Sequence, residues 1–232
     1  MDVHVLHNAK AVAGIVGVDV PACDSLALSI DDPSRVLFAF VGGNPLSRNW
    51  LVDLELPGDR VVAWSGTLAD DEEQLFAAHP HNWMSPGSDA LRKLLDELLP
   101  QFERAGRTLC LMHHARHVLN DVQGTINLAR AQAGGALEIA LAPGNLLVPS
   151  MLDTLEDHLE RSFSTLSEAA SFLFIEDLAL SEEGDALIPA AFGEGILDKS
   201  LLRSALQRHW PMDKPIVVRA GNLGEQLDWL KG

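Results

Sequence analysis

Short apolar runs alternate with amphipathic segments along the last two-thirds of the chain, and this alternation constrains the fold more than any other feature of the sequence. The apolar runs are nearly continuous, which is typical of parallel strands covered on both faces. Between them, apolar residues recur every three or four positions, as on one face of a helix. The pattern predicts strands and helices joined by right-handed crossovers around a parallel sheet. The predicted strands are 60–64, 108–112, 137–141, 171–175 and 215–218.

Capping residues and glycines mark the helix boundaries. The first helix between two of these strands should begin at Ser88, bend at Pro100 and end at Gly106. The next should span about 118–133 and end at a Gly-Gly pair. The later helices should begin at the capping residues Ser150, Asp198 and Asn222.

A parallel sheet of this kind is either open and doubly wound or closed into a (β/α)8 barrel. The open form normally carries a glycine-rich phosphate turn, and no G-x-G-x-x-G sequence occurs in the chain. Three more strand-like runs lie at 3–6, 26–30 and 36–40, and the gap between the last two leaves no room for a helix. We therefore predict a (β/α)8 TIM barrel, a single domain over residues 1–232, with an irregular or abbreviated N-terminal quarter.

The net charge argues against two classes of partner. The chain has 17 Lys and Arg against 33 Asp and Glu, a formal charge of −16 at pH 7. No basic residue lies between Arg161 and Lys199, a stretch in which eight residues are acidic. Binding to nucleic acid or to anionic lipid needs clustered cations. We expect neither a nucleic-acid partner nor a membrane partner.

Three further features favour a cytoplasmic location. The longest apolar runs, such as 36–41, fall far short of the roughly 20 residues that cross a bilayer. The N-terminus shows no basic segment before an apolar stretch, so no signal peptide is visible. Two cysteines, Cys23 and Cys110, are too few for a disulfide framework.

Five motifs follow one another between residues 85 and 230. They are Thr-Leu-Cys-Leu-Met-His-His at 108–114, Leu-Glu-Ile-Ala-Leu-Ala-Pro-Gly-Asn at 137–145, Phe-Ile-Glu-Asp at 174–177, Gly-Glu-Gly-Ile-Leu-Asp at 193–198 and Pro-Ile-Val-Val-Arg at 215–219. In this order they resemble the motifs of the xylose isomerase-like TIM barrels. That superfamily includes sugar isomerases, sugar-phosphate isomerases and epimerases, inosose dehydratases and type IV apurinic endonucleases. The motif at 193–198 is close to the family's Gly-x-Gly-x-Ile-Asp.

The resemblance implies a divalent cation at the barrel mouth, held by strand-end carboxylates and histidines, where it polarises the substrate. The four ligand positions that can be placed carry Met112 for Glu, Ala142 for Asp, Phe174 for His and Arg219 for Glu. A thioether is a poor ligand for hard cations, methyl and phenyl groups offer no lone pair, and a guanidinium repels cations. We therefore expect no metal and no other cofactor, with loss of the ancestral reaction.

The histidines leave a divalent metal open as the alternative. His79, His81, His114 and His117 suit a relocated zinc, copper or nickel site, although their H-x-H and H-x-x-H spacings are also common at surfaces. His113 and His114 are neighbours on a strand end, so only one of them can face the barrel axis. His114 matches the family histidine and is expected in the pocket.

The candidate catalytic residues are His114, Asp177, Glu194 and Arg219, and the candidate substrate-binding residues are Trp64, Asn145 and Arg219. Arg219 either grips a carboxylate or phosphate while Asp177 accepts a hydroxyl proton, or forms a buried ion pair in place of the cation. We expect Asp177 as its partner, with Glu176 or Glu194 as substitutes. Trp64 suits either a sugar-stacking platform or a core position, and Glu194 either an active-site carboxylate or an ordinary turn.

Three functions are compatible with these features. The first is a divergent, metal-free relative of the sugar isomerases and epimerases, a pseudoenzyme that binds a small sugar, polyol or acid at the barrel mouth. The second is an active sugar or sugar-phosphate isomerase or epimerase that uses a relocated metal or acid–base catalysis alone. The third is a structural or interaction scaffold whose acidic stretch 176–198 forms the contact surface. The oligomeric state is left open.

Overall fold

The computed structural model of the chain describes residues 1–16, 23–69 and 74–232. The strands in these ranges are β1 (Val3–Asn8), β2 (Ser25–Ser29), β3 (Val36–Val41), β4 (Arg60–Trp64), β5 (Thr108–Met112), β6 (Leu137–Leu141), β7 (Phe172–Ile175), β8 (Asp177–Leu180), β9 (Leu187–Ala190) and β10 (Ile216–Arg219). The helices are α1 (Ala9–Val16), α2 (Ser85–Ala105), α3 (Val122–Ala131), α4 (Leu155–Leu166), α5 (Lys199–His209) and α6 (Leu223–Lys231).

Eight of these strands close into a barrel in the order β1-β10-β7-β6-β5-β4-β3-β2. Neighbouring strands are parallel except at β2, which runs antiparallel to both β1 and β3. Only residues 30–35 separate β2 from β3, and so short a connection turns the chain back, because a parallel neighbour needs a longer crossover. The predicted TIM barrel is confirmed, and the reversed strand β2 is the irregularity of its N-terminal quarter.

The barrel strands bury side chains on both faces. One set points inward and forms an apolar inner cluster, in which the rings of Phe38 and Phe172 stack with their centroids 4.7 Å apart. The alternate set packs outward against the helices, as Leu109 of β5 and Phe102 of α2 do in one outer cluster. Burial on both faces explains why the strands are nearly continuous apolar runs in the sequence.

Helix α2 is longer than predicted. It begins at Ser85 rather than Ser88, with Pro86 in the first turn, where proline is well tolerated because that N–H has no intrahelical acceptor. It continues through Pro100 and ends before Gly106, whose φ of 63° lies in the left-handed region that favours glycine. In the described ranges, no helix is both long and apolar enough to span a membrane.

Two other helices begin later than predicted. Helix α3 begins at Val122 rather than near 118, because the Asp121 carboxylate accepts a hydrogen bond from the Gly124 amide and caps the helix there. Helix α4 begins at Leu155 rather than Ser150, because Pro149–Thr154 forms a separate 3-10 helix.

The last two helices differ in their caps. Asp198 caps α5 as predicted, with its Oδ1 accepting hydrogen bonds from the amides of Ser200 and Leu201 at 2.8 and 3.1 Å. Asn222 precedes α6 but adopts a φ of 51°, and its side chain donates to the Phe192 carbonyl instead of capping the helix.

Strands β8 and β9 form a two-stranded antiparallel ribbon, which the sequence patterns did not predict. The ribbon is inserted between β7 and α5, and its register pairs Asp177 with Ala190 and Leu180 with Leu187. It therefore leaves the barrel at the carboxyl end of β7, the end at which TIM-barrel sites are built.

Candidate functional site

A cavity of about 420 Å³ opens at the carboxyl ends of the barrel strands, and strand β9 of the ribbon lines part of it. This volume is within the range of small-molecule sites. Residues at five strand ends, or in the loops that follow them, line the cavity, among them Trp64 (β4), His114 (β5), Asn145 (β6), Glu176 (β7) and Arg219 (β10). The structure thus brings together four of the candidate catalytic and substrate-binding residues, together with Glu176, which was expected only as an alternative partner of Arg219.

Arg219 forms an ion pair with Glu176 across the neighbouring strands β10 and β7. Its Nε and Nη2 both lie 2.7 Å from Oε2 of the carboxylate. The Glu176 side chain is 4% exposed and the Arg219 side chain 44%. An ion pair of Arg219 with one of the three named carboxylates was expected, and the partner is Glu176 rather than the preferred Asp177, because successive side chains of an extended segment point to opposite sides and Glu176 is the one that faces the cavity.

Glu176 is a buried acidic group of the cavity, and its pKa is raised. Burial raises the pKa of Glu176 above that of an ordinary glutamate, and the adjacent Arg219 guanidinium only partly offsets this. A carboxyl group shifted in this direction exchanges its proton closer to neutral pH, as acid–base groups do. Glu176 lines the cavity and is placed to move a proton there, whereas Asp177, the residue expected from the sequence to do so, is not among the described residues that line it.

Asp177 binds the backbone of the loop that follows β9. Its carboxylate accepts hydrogen bonds at 2.9–3.3 Å from the amides of Leu178, Gly193, Gly195 and Leu197. The ammonium group of Lys199 lies 3.9 Å from its Oδ2. Asp177 is buried but is not among the described residues that line the cavity. Its carboxylate holds the loop in place.

The hydrogen bonds between the Asp177 carboxylate and the loop amides explain the Gly-Glu-Gly motif at 193–195. A Cβ at Gly195 would lie 2.1 Å from Oδ1 of Asp177, and Gly193 has a φ of 94°, which side chains disfavour. Glu194 lies between the two glycines, exposed in the turn, and is not among the described cavity-lining residues. In this chain the motif is accounted for by backbone packing.

The two adjacent histidines have different surroundings, as expected. His114 lines the cavity, and its Nδ1 accepts a hydrogen bond from the Arg116 amide at 3.1 Å, which leaves the proton of the neutral ring on Nε2. Burial lowers the pKa of His114 to about 4, so the ring is neutral at pH 7. His113 is fully buried away from the cavity, with its Nε2 3.0 Å from the Ala142 carbonyl oxygen.

Aromatic rings form one wall of the cavity. Trp64 makes edge contacts with Phe76, His117 and His114 at centroid distances of 5.2, 5.4 and 5.9 Å. The indole is half-buried, so it both lines the cavity and packs against its neighbours. Burial also lowers the pKa of His117 to about 3, which keeps this wall uncharged at neutral pH.

Arg116, which follows β5, connects the β8–β9 ribbon to the barrel through hydrogen bonds and an ion pair. Its guanidinium donates to the Phe76 and Asp185 carbonyl oxygens at 2.9 Å each and lies 3.5 Å from the Asp185 carboxylate. Asp185 lies in the turn between β8 and β9. Arg116 was not among the candidate residues, because its partners are distant along the chain and no local pattern connects them.

No family model matches the chain, and no curated protein matches it. Solved structures do match. A D-psicose 3-epimerase solved with D-fructose has a TM-score of 0.55 and 13% identity, over 96% of this chain and 75% of the epimerase. A D-tagatose 3-epimerase-like protein has a TM-score of 0.53 and 16% identity, over 83% and 78%. The probable 3-DHS dehydratase of Bacillus anthracis has a TM-score of 0.50 and 12% identity, over 87% and 76%.

The chain shares the barrel fold of these epimerase structures. At these identities the similarity is one of fold, and a fold of this type hosts many activities. Another similar structure, a xylose isomerase-like TIM barrel protein from Mycobacterium smegmatis, is longer, and this chain spans 54% of its length. The TIM-barrel architecture predicted from the alternation of strands and helices is confirmed.

The positions at which a xylose isomerase-like barrel would hold its cation do not fit a metal here. Met112, Ala142 and Phe174 belong to the apolar inner cluster, and the Arg219 guanidinium lies 5.5 Å above the Phe174 ring. Thioether, methyl, phenyl and guanidinium groups offer no oxygen or nitrogen lone pair to a divalent cation.

The relocated histidine site also lacks a complete ligand set. His79 contacts His81 and His114 contacts His117, with ring centroids 5.3 and 4.9 Å apart. No group of three or more His, Cys, Asp and Glu side chains that could hold a metal occurs within residues 1–16, 23–69 and 74–232. The Nε2 of His117 is moreover 3.0 Å from the Leu75 carbonyl oxygen, which occupies one of its two nitrogens.

Proposed function

We propose that this protein is a divergent, metal-free relative of the sugar isomerase and epimerase barrels that binds a small sugar, polyol or organic acid at the barrel mouth and has lost the ancestral reaction. The observation that carries the proposal is the ion pair between Arg219 and Glu176. It puts a permanent positive charge, already partnered, where the resemblance places a metal ligand.

The cavity supports the binding part of the proposal. Its volume of about 420 Å³ suits a molecule of sugar size, and its walls combine apolar side chains with a few polar groups, as ligand sites do. A cytoplasmic location, a single domain over residues 1–232 and the absence of nucleic-acid and membrane partners belong to the same proposal, the last because the net charge is −16.

The second candidate is an isomerase or epimerase that works by acid–base catalysis alone. The raised pKa of Glu176, caused by burial, favours it, because an isomerase base must take up and return a proton near neutral pH. In this version Arg219 and the neutral His114 would donate hydrogen bonds to the substrate carbonyl oxygen, and Glu176 would move the proton. A scaffold that uses the acidic stretch 176–198 as its contact surface is the third candidate.

Calorimetry and metal analysis test the proposal. We expect the protein purified without chelators to hold no stoichiometric metal, and titration with Mn²⁺ or Mg²⁺ to give no saturable heat. Thermal shift with sugars, polyols and small acids should identify ligands whose effect does not change when EDTA is present. Tight Mn²⁺ or Mg²⁺ binding by the unmodified protein would overturn the proposal.

NMR in D₂O separates the second candidate from the first. A sugar that exchanges a carbon-bound proton for deuterium in the presence of wild-type protein, but not of Glu176→Gln, would establish acid–base catalysis. For sugars that shift the melting temperature, absence of both deuterium exchange and conversion to an isomer supports binding without the ancestral reaction.

A further inference from the structure

We propose that the cavity recognises the carboxylate group of a small organic acid with an apolar body, and that Arg219, His114 and Asn145 bind that group. This inference rests on the proposed function, since it names the class of ligand bound at the metal-free mouth. It gives Arg219, which stands where the resemblance implies a metal ligand, the role of a hydrogen-bond donor.

Arg219 has binding capacity left after pairing with Glu176. Its Nε and Nη2 share a single carboxylate oxygen, Oε2, and its Nη1 has no partner among the described residues. The side chain is 44% exposed and lines the cavity, so a ligand can reach the free edge of the guanidinium. A guanidinium presents its N–H groups in a planar fork that matches a carboxylate.

Two neutral donors complete the polar side of the cavity. The Nε2–H of His114 is free of any partner in the part of the chain that the structure describes, because Nδ1 takes the Arg116 hydrogen bond. Asn145 is 6% exposed, and its Nδ2 is buried with no acceptor in that same part. An unpaired buried donor is costly, so Asn145 in particular favours a ligand that brings an acceptor.

Each of the two carboxylates among the described residues that line the cavity already accepts at least one hydrogen bond or ion-pair contact. Glu176 accepts from Arg219, and Asp185 accepts from Ser181 Oγ at 3.0 Å and faces Arg116. A sugar hydroxyl needs an acceptor for its own proton, whereas a carboxylate is an acceptor only. The three donors of Arg219, His114 and Asn145 therefore favour a carboxylate over a polyol.

The remaining walls select the rest of the ligand. They are apolar side chains from four parts of the chain: Trp64, Phe76, Leu147, Val148, Leu178 and Ile188. The Arg116 guanidinium is engaged by Phe76 and Asp185, so Arg219, which is paired with Glu176, is the remaining cation of the described cavity. One such cation suits a singly charged carboxylate better than a phosphate dianion.

Matched acid and amide pairs test the inference on the whole protein. The probes are phenylacetate with phenylacetamide, and 3-methylbutanoate with its amide, titrated by calorimetry in buffer with EDTA. We expect the acids to bind at least about tenfold more tightly than the amides, since hydrogen bonds to a charged group contribute about 1.5–3 kcal/mol. Inorganic phosphate, D-fructose and myo-inositol serve as competitors and should not displace the acids.

Two variants assign the binding to this cavity. Arg219→Met and the isosteric Asn145→Asp, which places a negative charge beside the ligand, should each weaken acid binding at least about tenfold. Asn145→Asp preserves side-chain shape and so keeps the test valid if Arg219→Met does not fold, as judged by circular dichroism. Arg92→Met removes an exposed ion pair of α2 and should leave binding unchanged.

Each failure has a distinct meaning. Amides or sugars that bind as tightly as the acids, phosphate that displaces them, or no saturable binding of either acid would overturn the carboxylate inference. If D-fructose or myo-inositol binds without metal in those cases, the proposed function stands. Binding of any probe that requires Mn²⁺ or Mg²⁺ would overturn both.

Discussion

Arg219 and Glu176 meet on a single oxygen atom: the Nε and Nη2 of the arginine both lie 2.7 Å from Oε2 of the glutamate, at the ends of neighbouring strands. The two residues differ tenfold in exposure, so the carboxylate is the buried member of the pair and the guanidinium the accessible one. Removing the arginine therefore leaves a buried charge, whereas removing the glutamate leaves a solvated one.

This asymmetry predicts unequal stability effects. Arg219→Met should lower the free energy of unfolding by about 1–3 kcal/mol at pH 7, because Glu176 loses its partner in a buried position. The double variant Arg219→Met with Glu176→Leu should recover most of the loss, since two apolar groups replace the pair together. Urea unfolding measures the free energy of unfolding of both variants. If Arg219→Met alone were as stable as the wild type, the argument from the burial of Glu176 would be contradicted.

The raised pKa of Glu176 predicts the sign of a pH effect. Because the folded state binds this proton more tightly than the unfolded chain, the contribution to stability is fully present below the pKa of an unfolded glutamate and is lost as pH rises through the folded pKa. Glu176→Gln should lack this loss. Between pH 4 and 8, the melting temperature of the wild type should therefore fall relative to that of Glu176→Gln as the pH rises. Parallel curves for the two proteins would refute this prediction.

The lowered pKa values of the buried histidines predict a pH effect on stability that is opposite in sign to that of Glu176. Burial lowers the pKa of His117 to about 3, so its contribution to stability is present above pH 6.5, the pKa of the unfolded residue, and is lost as pH falls through the folded pKa. His117→Gln should therefore lose less stability than the wild type between pH 6.5 and 4. Chemical unfolding at several pH values measures the slope, and equal slopes would count against this interpretation.

Gly195 should tolerate no side chain. In Gly195→Ala the new Cβ would overlap Oδ1 of Asp177 and force that carboxylate away from the loop amides, at a cost of more than about 2 kcal/mol. Gly224→Ala in α6 is the matched control, because nothing lies within 4 Å of its added Cβ, and it should stabilise the helix by up to about 1 kcal/mol. Similar melting temperatures for the two variants would be inconsistent with the close approach of Gly195 to Asp177.

Arg116 should hold the ribbon closed over the cavity. In Arg116→Met the ties to Phe76 and Asp185 are lost, and amides of the ribbon turn such as Ala186 should exchange hydrogen roughly fivefold faster, which corresponds to about 1 kcal/mol. Hydrogen exchange read by mass spectrometry measures this, with Arg92→Met as the control. Unchanged exchange over 181–187 would show that the ribbon is held by other contacts.

The barrel was predictable because strands buried on both faces leave unbroken apolar runs. The bounds of β4, β5 and β6 coincide with the predicted 60–64, 108–112 and 137–141. The ribbon was not predictable, because β8 and β9 are short and partly exposed, and β9 contains a proline. Neither an apolar run nor a clear alternation marks such strands.

The site was predictable to the extent that residues follow strand ends. Trp64, His114, Asn145 and Arg219 line one cavity because each lies at the same end of its strand. The choice between Glu176 and Asp177 was not predictable, since a shift of one residue along an extended segment reverses the side that a carboxylate faces. Only the three-dimensional register of β7 decides it.

The reversed strand β2 also bears on how the barrel assembles. β1 closes the barrel by pairing with β10, with Val3 opposite Ile216, whereas β2 and β3 pair across residues 30–35. Closing a short loop costs less entropy, and local contacts form sooner than distant ones. We expect the β2–β3 hairpin to be structured in the folding transition state before the two ends of the chain meet. A ring of eight parallel strands has no such hairpin, so the reversed strand supplies a local nucleus.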